Sequence, residues 1–264
     1  MAITALAAQG ARMEVWELAV VILAAVVPSL IYLVWIRNSE RYNRERWMHV
    51  LSVYLFGAII SIIAAVFLES VAISVLYASG SIFSGGFWSY EPYDPTLEIV
   101  ILAVVIAPLV EEWTKGWGVM TVRNKVREPE DGFIYGAAAG LGFAAMENIS
   151  YNSSALIEGY EVFLVTALTR AVASTLLHAS ASAVLGYGIA RRYLDGARGR
   201  RASYLPYYLA AVVLHGLFNG FGVASVVWDH EALPLIGLIS ASVLAIGMFL
   251  WMRRRLRIMD RRGN

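Results

Sequence analysis

The stretch that decides the fold is residues 97–120, which read LEIVILAVVIAPLVEEWTKGWGVM. A helix needs about 20 mostly apolar residues to cross the hydrocarbon core of a bilayer. This stretch is long enough, yet its second half contains Glu111, Glu112 and Lys115. An ionisable side chain at bilayer depth costs about 2.5–3.5 kcal/mol on insertion scales, so such groups face a bundle interior or a wet cavity. The stretch therefore predicts an all-α, polytopic transmembrane bundle with a polar core.

The composition of the chain agrees with a membrane protein. Of the 264 residues, 59% are hydrophobic and only 16% are charged, which is far from the mixture typical of soluble domains. The 21 basic and 20 acidic residues nearly cancel, and this argues against a nucleic-acid partner. The chain has no cysteine, so disulfides and thiolate chemistry are excluded. The first apolar run is long enough to span, and we therefore expect no cleaved signal peptide.

Apolar runs of spanning length predict about seven helices in a single domain over residues 1–264. Their ranges are 14–36, 47–68, 97–120, 132–152, 162–190, 204–228 and 233–252. Residues 70–79 are apolar but too short to span alone, so they either prolong the second helix or lie at the interface. The loop 80–96 is rich in Gly, Ser, Pro and Tyr and could cap the bundle.

The placement of charge predicts the orientation of these helices. Most of the basic residues lie on one side of the predicted topology, whereas the opposite loops are acidic. The positive-inside rule places the basic side in the cytoplasm, which leaves the N-terminus outside and the C-terminus inside. The basic segments are 37–46, 123–127, 191–201 and 253–262.

Polar residues within four of these helices recur at intervals of three or four, which places them on one face of each helix. We infer that the four polar faces meet. The sets are Glu111 and Glu112 with Lys115; Glu147 with Tyr151; Arg170, Ser174, His178, Ser182 and Gly186; and His215 with Asn219.

Backbone features favour the same core. Pro108 cannot donate a main-chain hydrogen bond, so it frees a carbonyl and loosens the turn before the glutamate pair. Gly132, Gly136 and Gly140 have the small-xxx-small spacing that lets two helices approach closely.

Depth along the predicted spans divides the polar set into two layers. Glu111 and Glu112 fall in the cytoplasmic half of their span, and His178 and His215 fall near the middle. Glu147 and Arg170 fall in the outer halves of their spans. We therefore predict that Glu147 and Arg170 pair as a structural clamp above the reactive layer.

These residue types suit peptide hydrolysis, which needs an activated water, oxyanion stabilisation and a proton donor for the leaving amine. Glu111 beside His178 could activate water. His215 and Asn219, four apart, could donate to one oxyanion. Lys115 would favour ionised carboxylates, and Glu112 could orient the lysine or a histidine.

The chain also resembles the PrsW-type proteases, within the wider superfamily of CAAX-prenyl endopeptidases and CPBP membrane proteases. The string Glu111-Glu112-x-x-Lys115 is similar to the EExxK signature of the PrsW type. Three more motifs follow in order on successive predicted helices. They are Glu147-Asn148-x-x-Tyr151, His178-x-x-x-Ser182 and His215-x-x-x-Asn219.

The resemblance implies a glutamate-dependent intramembrane endopeptidase in a prokaryotic cell membrane, acting on membrane-anchored proteins, with its core at about 97–228. The first glutamate and first histidine of CAAX-type members match Glu111 and His178, and their oxyanion pair matches His215 and Asn219. We therefore expect five catalytic residues and six supporting ones. The catalytic set is Glu111, Glu112, His178, His215 and Asn219, and the supporting set is Lys115, Glu147, Asn148, Tyr151, Arg170 and Ser182.

Two other functions fit the same residues. Chains of buried Glu and His also form proton relays in transporters, and the superfamily extends to non-catalytic scaffolds. Zinc is a further option through Glu111, His178 and His215, with a fourth position for water. Because no H-E-x-x-H element arranges two ligands on one helix, we expect a metal-free site without another cofactor.

Overall fold

The computed structural model describes residues 13–42, 44–84, 95–228 and 230–260, and within these ranges all regular structure is helical. Seven long helices follow one another along the described chain, with a short 3-10 turn at Arg123–Lys125. They are α1 (Val15–Arg37), α2 (47–84), α3 (95–121), α4 (Asp131–Glu158), α5 (Tyr160–Ala197), α6 (Leu205–Val227) and α7 (Leu233–Asp260).

The all-helical fold is confirmed, and each predicted span corresponds to one of these helices. Five helices among the described residues are long and apolar enough to cross a bilayer. They are Val15–Arg37, Trp47–Leu76, Tyr160–Ala197, Leu205–Val227 and Leu233–Asp260. The remaining two, α3 and α4, contain the acidic motif residues and many small or polar side chains. The count of seven spans and the orientation stay predictions.

Helix α4 forms the centre of the bundle. Every residue from Asp131 to Ala145 is buried, and the helix packs against α1, α2, α3 and α5. Because protein rather than lipid surrounds it, α4 gains more from small side chains that permit close packing than from large apolar ones.

The close packing of α4 on α5 depends on three glycines. A Cβ atom at Gly132, Gly136 or Gly140 would lie 2.1–2.4 Å from a carbonyl oxygen of α5. At Gly140 that oxygen belongs to His178. The predicted small-xxx-small contact is therefore confirmed, and it sets the distance between α4 and the backbone of His178.

A π-helical turn at Leu102–Ile106 precedes Pro108 in α3. In this turn the Ala107 N–H donates to the carbonyl of Leu102, so the next carbonyl, that of Ala103, would need a donor at position 108. Proline has none, and Asn219 Nδ2 of α6 donates to Ala103 O instead, at 2.8 Å. The sequence analysis predicted that Pro108 frees a carbonyl, and that carbonyl belongs to Ala103. Its hydrogen bond with Asn219 connects α3 to α6.

Several helices are longer than their apolar runs. Helix α2 continues through residues 70–79 to Ser84, so this segment prolongs the second helix. The predicted loop 80–96 was too long at both ends, and residues 85–94 lie outside the described residues. Helices α5 and α7 extend to Ala197 and Asp260, because main-chain hydrogen bonding continues where the side chains become basic.

Buried carboxylates hold the connection between α1 and α2 at the arginine-rich end of the bundle. Glu45 accepts hydrogen bonds from Arg127 Nη2, at 2.9 Å, and from the hydroxyl of Tyr135. Asp260 accepts from the backbone N–H groups of Arg41 and Tyr42. The connection is thereby tied to α4 and α7.

Glu40 in this connection is only 1% exposed. One of its oxygens accepts from the Glu45 N–H, and the other, Oε1, has no hydrogen-bond partner among the described residues. Burial, and then the nearby charge of Asp131, raise the pKa of Glu40 from 4.5 to about 8. The carboxyl is therefore easier to bury when it is protonated.

Gly136→Ala is expected to destabilise the protein by about 1–3 kcal/mol, because its methyl group would overlap the carbonyl oxygen of Ser182. Thermal unfolding of the purified protein in detergent measures the effect. The matched control is Gly247→Ala in α7, where a Cβ meets no atom within 4 Å. Equal unfolding midpoints for the two variants would exclude the close contact.

Glu40→Gln is expected to reduce the loss of stability as the pH rises from about 4.5 to about 8. The stabilising contribution of Glu40 is complete below pH 4.5 and is lost as the pH rises through about 8. Between about pH 4.5 and pH 8 the unfolding midpoint should fall less in the variant than in the wild type. The exposed Glu158→Gln serves as control, and a pH dependence that Glu40→Gln leaves unaltered would contradict the assignment.

Candidate active site

Lys115 is the centre of the polar network and is fully buried. Its Nζ donates to Glu111 Oε2 at 3.0 Å, to Glu112 Oε1 at 2.9 Å and to His178 Nδ1 at 2.8 Å. The ammonium also lies 4.2 Å from the centre of the Phe143 ring. Three acceptors and an aromatic face thus replace the water that this charge would have at the surface.

The contact with Lys115 fixes the tautomer of His178. An ammonium group can only donate, so His178 Nδ1 must accept and its proton must be on Nε2. That nitrogen lies 2.9 Å from Glu147 Oε2, which accepts the hydrogen bond. Glu147 therefore orients His178 with its Nδ1 lone pair towards the interior of the site.

His215 is oriented in the same way by another carboxylate. Its Nδ1 donates to Glu112 Oε1 at 3.0 Å, which leaves the lone pair on Nε2 in the neutral ring. Ser182 Oγ donates to the other oxygen of Glu112 at 2.8 Å. Both oxygens of Glu112 are thus hydrogen-bonded, and the side chain has no exposed surface.

Glu111 lies beside the unprotonated ring nitrogens of both histidines. Its Oε2 is 3.9 Å from His178 Nδ1 and 3.8 Å from His215 Nε2. One donor atom from each of these three residues lies within 4.8 Å of the others, and the group could hold a metal ion. The two imidazole rings meet edge to face at 4.8 Å between centroids. Helices α3, α5 and α6 each supply one member.

The predicted pair between Glu147 and Arg170 is present, with Nη2 to Oε2 at 2.7 Å. Arg170 Nε also donates to Asn148 Oδ1 at 2.7 Å, and its guanidinium lies 3.7 Å from the centre of the Tyr151 ring. The structure does not separate this pair from the histidine layer, however, because Glu147 contacts His178 as well. Depth along a linear sequence could not show that close packing of α4 on α5 brings the two layers together.

A cavity of about 560 Å³ reaches this site. Polar groups that line it come from α2 to α6. The predicted site residues that are not part of its wall are Glu112, Lys115, Asn148, Ser182 and His215. Part of the predicted set is therefore open to water or substrate, and part lies behind it. The polar lining includes Glu69, Glu111, Glu147, Tyr151, Arg170, His178 and Asn219.

Glu69 is a site residue that the sequence analysis missed. It lies on α2, one residue beyond the predicted end of that span, and its Oε1 is shielded without a hydrogen-bond partner among the described residues. It interacts electrostatically with Glu147 and Lys115. The signal that could have identified it is a single acidic residue between two apolar stretches, 47–68 and 70–79.

Comparison with known proteins places this site in a family. The model of the PrsW family of intramembrane metalloproteases matches residues 45–252. The chain belongs to the PrsW family. Several relatives are named Protease PrsW. Each aligns with about three quarters or more of this PrsW-family chain. No solved structure matches the chain significantly.

Three of these relatives come from bacteria. The protein of Clostridioides difficile (strain 630) is 32% identical over 201 residues, which are 75% of this chain and 76% of the relative. That of Geobacillus kaustophilus (strain HTA426) is 28% identical over 211 residues, 78% and 81% of the two chains. That of Bacillus subtilis (strain 168) is 23% identical over 216 residues, 82% and 88%.

The family assignment selects among the three functions that the sequence left open. The protein is an intramembrane endopeptidase and an integral membrane protein of a prokaryote. It acts in a bilayer on membrane-anchored proteins. The family description as a metalloprotease also disfavours the metal-free site that the sequence analysis expected.

Arg170→Gln and Glu147→Gln are expected to be non-additive in a double-mutant cycle on stability, with a coupling of about 1–3 kcal/mol, because each change leaves the other partly buried group without its oppositely charged partner. Unfolding midpoints of the two single variants and the double variant measure it. The control cycle pairs Arg170→Gln with the exposed Glu161→Gln and should be additive. Additivity in both cycles would show that the observed ion pair contributes nothing.

Proposed function

We propose that Glu111, His178 and His215 form the catalytic centre of this protease and hold a divalent metal ion, for which zinc is the best candidate. The observation that carries the proposal is the set of hydrogen bonds from which the two histidine tautomers follow. Each imidazole donates its N–H to a carboxylate, Glu147 or Glu112, so its other ring nitrogen carries no proton and lies 3.8–3.9 Å from Glu111 Oε2. At His178 this nitrogen accepts a hydrogen bond from Lys115 Nζ, which a bound ion would have to replace. Two imidazole nitrogens and one carboxylate, with a further position for water, are a common ligand set of catalytic zinc.

The surroundings of the three residues support a cation. A carboxylate that accepts the outer N–H of a ligating histidine fixes its orientation and increases its basicity, which is the position of Glu112 and Glu147. Among the described residues the network also contains more carboxylates than cations, since four carboxyl groups stand against the two cations Lys115 and Arg170. These carboxyl groups belong to Glu69, Glu111, Glu112 and Glu147. We propose a positioning role for Glu112, instead of the predicted catalytic one, because it is fully buried and both its oxygens are hydrogen-bonded.

The tautomer of His215 also alters its expected role. A neutral ring that donates from Nδ1 to Glu112 offers a lone pair at Nε2, which suits a ligand and not the predicted oxyanion donor. Asn219 lines the cavity and uses its amide to donate to Ala103 O. We propose that the second hydrogen of this amide donates to the oxyanion.

Glu111 is the proposed proton carrier of the reaction. Its Oε2 accepts from Lys115, and Oε1 has no hydrogen bond to a described residue. Oε1 can take a proton from the attacking water and return it to the leaving amine, so the bond broken is the C–N bond and the water adds across it. The bound metal would supply Lewis-acid polarisation and a more acidic water.

Glu111→Gln is expected to lower cleavage by roughly 10²–10⁴-fold without loss of fold, because the amide can neither carry the proton nor offer the ion a charged oxygen. Single-span membrane-anchored proteins reconstituted with the protease in proteoliposomes provide the assay. The control is the exposed Glu158→Gln, which should cleave as the wild type does. A folded Glu111→Gln variant with wild-type cleavage would overturn the catalytic assignment.

The metal is tested separately from activity. Purified protein dialysed against zinc should contain about one ion per chain, and His178→Ala combined with His215→Ala should lose it, because two of three ligands are removed. His49→Ala, a histidine outside the site, is the matched control and should retain the ion. Elemental analysis measures this directly, and a metal content that both variants retain equally would contradict the proposed ligands.

A further inference from the structure

A second cavity lies at the arginine-rich end of the bundle, apart from the candidate active site. Its volume is about 680 Å³, within the range of about 300–1,000 Å³ that is common for small-molecule sites. The end of α3, the end of α5 and the connection to α6 surround it. Four arginines contribute to its wall, namely Arg123, Arg192, Arg200 and Arg201.

The positive charge of this cavity is poorly compensated. Arg200 forms an ion pair with Asp195 at 3.1 Å. Arg192 donates to the carbonyl of Ala202 at 3.1 Å, which fixes the side chain without neutralising it. Arg123 and Arg201 form no ion pair with a described residue. An excess of positive charge remains in a concave site, where it would attract an anion.

The rest of the wall is apolar or amphipathic. Met120 and Ile189 contribute apolar surface, and Tyr193 and Tyr204 contribute rings with a polar tip. Tyrosines of this kind are typical of the level of lipid headgroups. A small hydrophilic anion would gain nothing from such a wall, whereas the glycerol and first methylene groups of a lipid would.

The lipid-facing surface begins directly beside the cavity. Leu205, which follows Tyr204, and Leu209 one turn later are 53% and 48% exposed on α6. The acyl chains of a lipid whose headgroup lay in the cavity could run along this surface. The positive-inside rule predicts that this end faces the cytoplasmic leaflet, where basic pockets between helices bind anionic headgroups.

We propose that this cavity is a binding site for an anionic glycerophospholipid, with the phosphodiester between Arg123, Arg192 and Arg201 and the glycerol against the apolar wall. The site joins the ends of α3 and α5, the helices that also contain Glu111 and His178. The proposal does not depend on the catalytic assignment, because it concerns binding beyond the C-terminal ends of those helices by residues outside the candidate active site.

Native mass spectrometry of the full chain tests it. The protein is exchanged into phosphatidylglycerol or into phosphatidylcholine with the same acyl chains, and retained lipid is counted. We expect the wild type to retain phosphatidylglycerol preferentially. Arg123→Gln combined with Arg201→Gln should weaken that retention roughly thirtyfold, from the usual contribution of two arginines at an anionic surface. Unchanged unfolding midpoints show that the variant is folded.

The matched control is Arg254→Gln combined with Arg255→Gln, which removes the same charge from exposed positions at the same end of the bundle. This control variant should retain the lipid as the wild type does. Arg200→Gln should reduce lipid retention less than Arg123→Gln, because Asp195 already neutralises Arg200. Equal losses in both double variants, or no preference in the wild type, would overturn the site. Displacement of the lipid by millimolar inorganic phosphate would show a free-anion site and would also overturn the proposal.

Discussion

The buried charge of Lys115 is the constraint on which the rest of the structure depends. A charge at bilayer depth must be compensated within the protein, and three acceptors from α3 and α5 surround this ammonium. Those acceptors can meet only if α5 lies close to α3 and α4, and that proximity requires backbone contact between α4 and α5. The glycines of α4 allow this contact. The close packing of α4 on α5 therefore also brings together the groups that compensate the charge of Lys115.

The hydrogen bonds of this network also determine which atom donates and which accepts at each histidine. Because Lys115 can only donate, His178 must accept at Nδ1 and donate its N–H to Glu147, and His215 donates its N–H to Glu112. The unprotonated nitrogens of both rings then lie 3.8–3.9 Å from Glu111, and Glu111 and His178 line a cavity that water can enter. The freed carbonyl of Ala103 holds Asn219 beside them. Lys115 and Glu112, which do not line the cavity, thereby determine which nitrogen of each histidine carries the proton.

Much of this could be predicted from the sequence. Apolar runs located the helices, and the intervals between Glu111, Lys115, His178 and His215 indicated a shared site. The contact between Glu147 and Arg170 also followed from their depth. The link from Glu147 to His178 did not, because it depends on how closely two helices approach. Glu69 was missed because hydropathy ends a span at an acid, whereas helical hydrogen bonding continues through it. The tautomer of each histidine depends on the groups that its two ring nitrogens contact. The spacing of residues along the sequence does not show these contacts.

The most direct test of this account is ¹⁵N NMR of the histidine side chains, of which the chain has only four. The account predicts two neutral rings of opposite type in the site, His178 protonated on Nε2 and His215 on Nδ1. Their unprotonated nitrogens should shift when zinc is added, while His49 and His230 should not respond. Two doubly protonated rings at neutral pH, or protons on the nitrogens that face Glu111, would contradict the proposed catalytic centre.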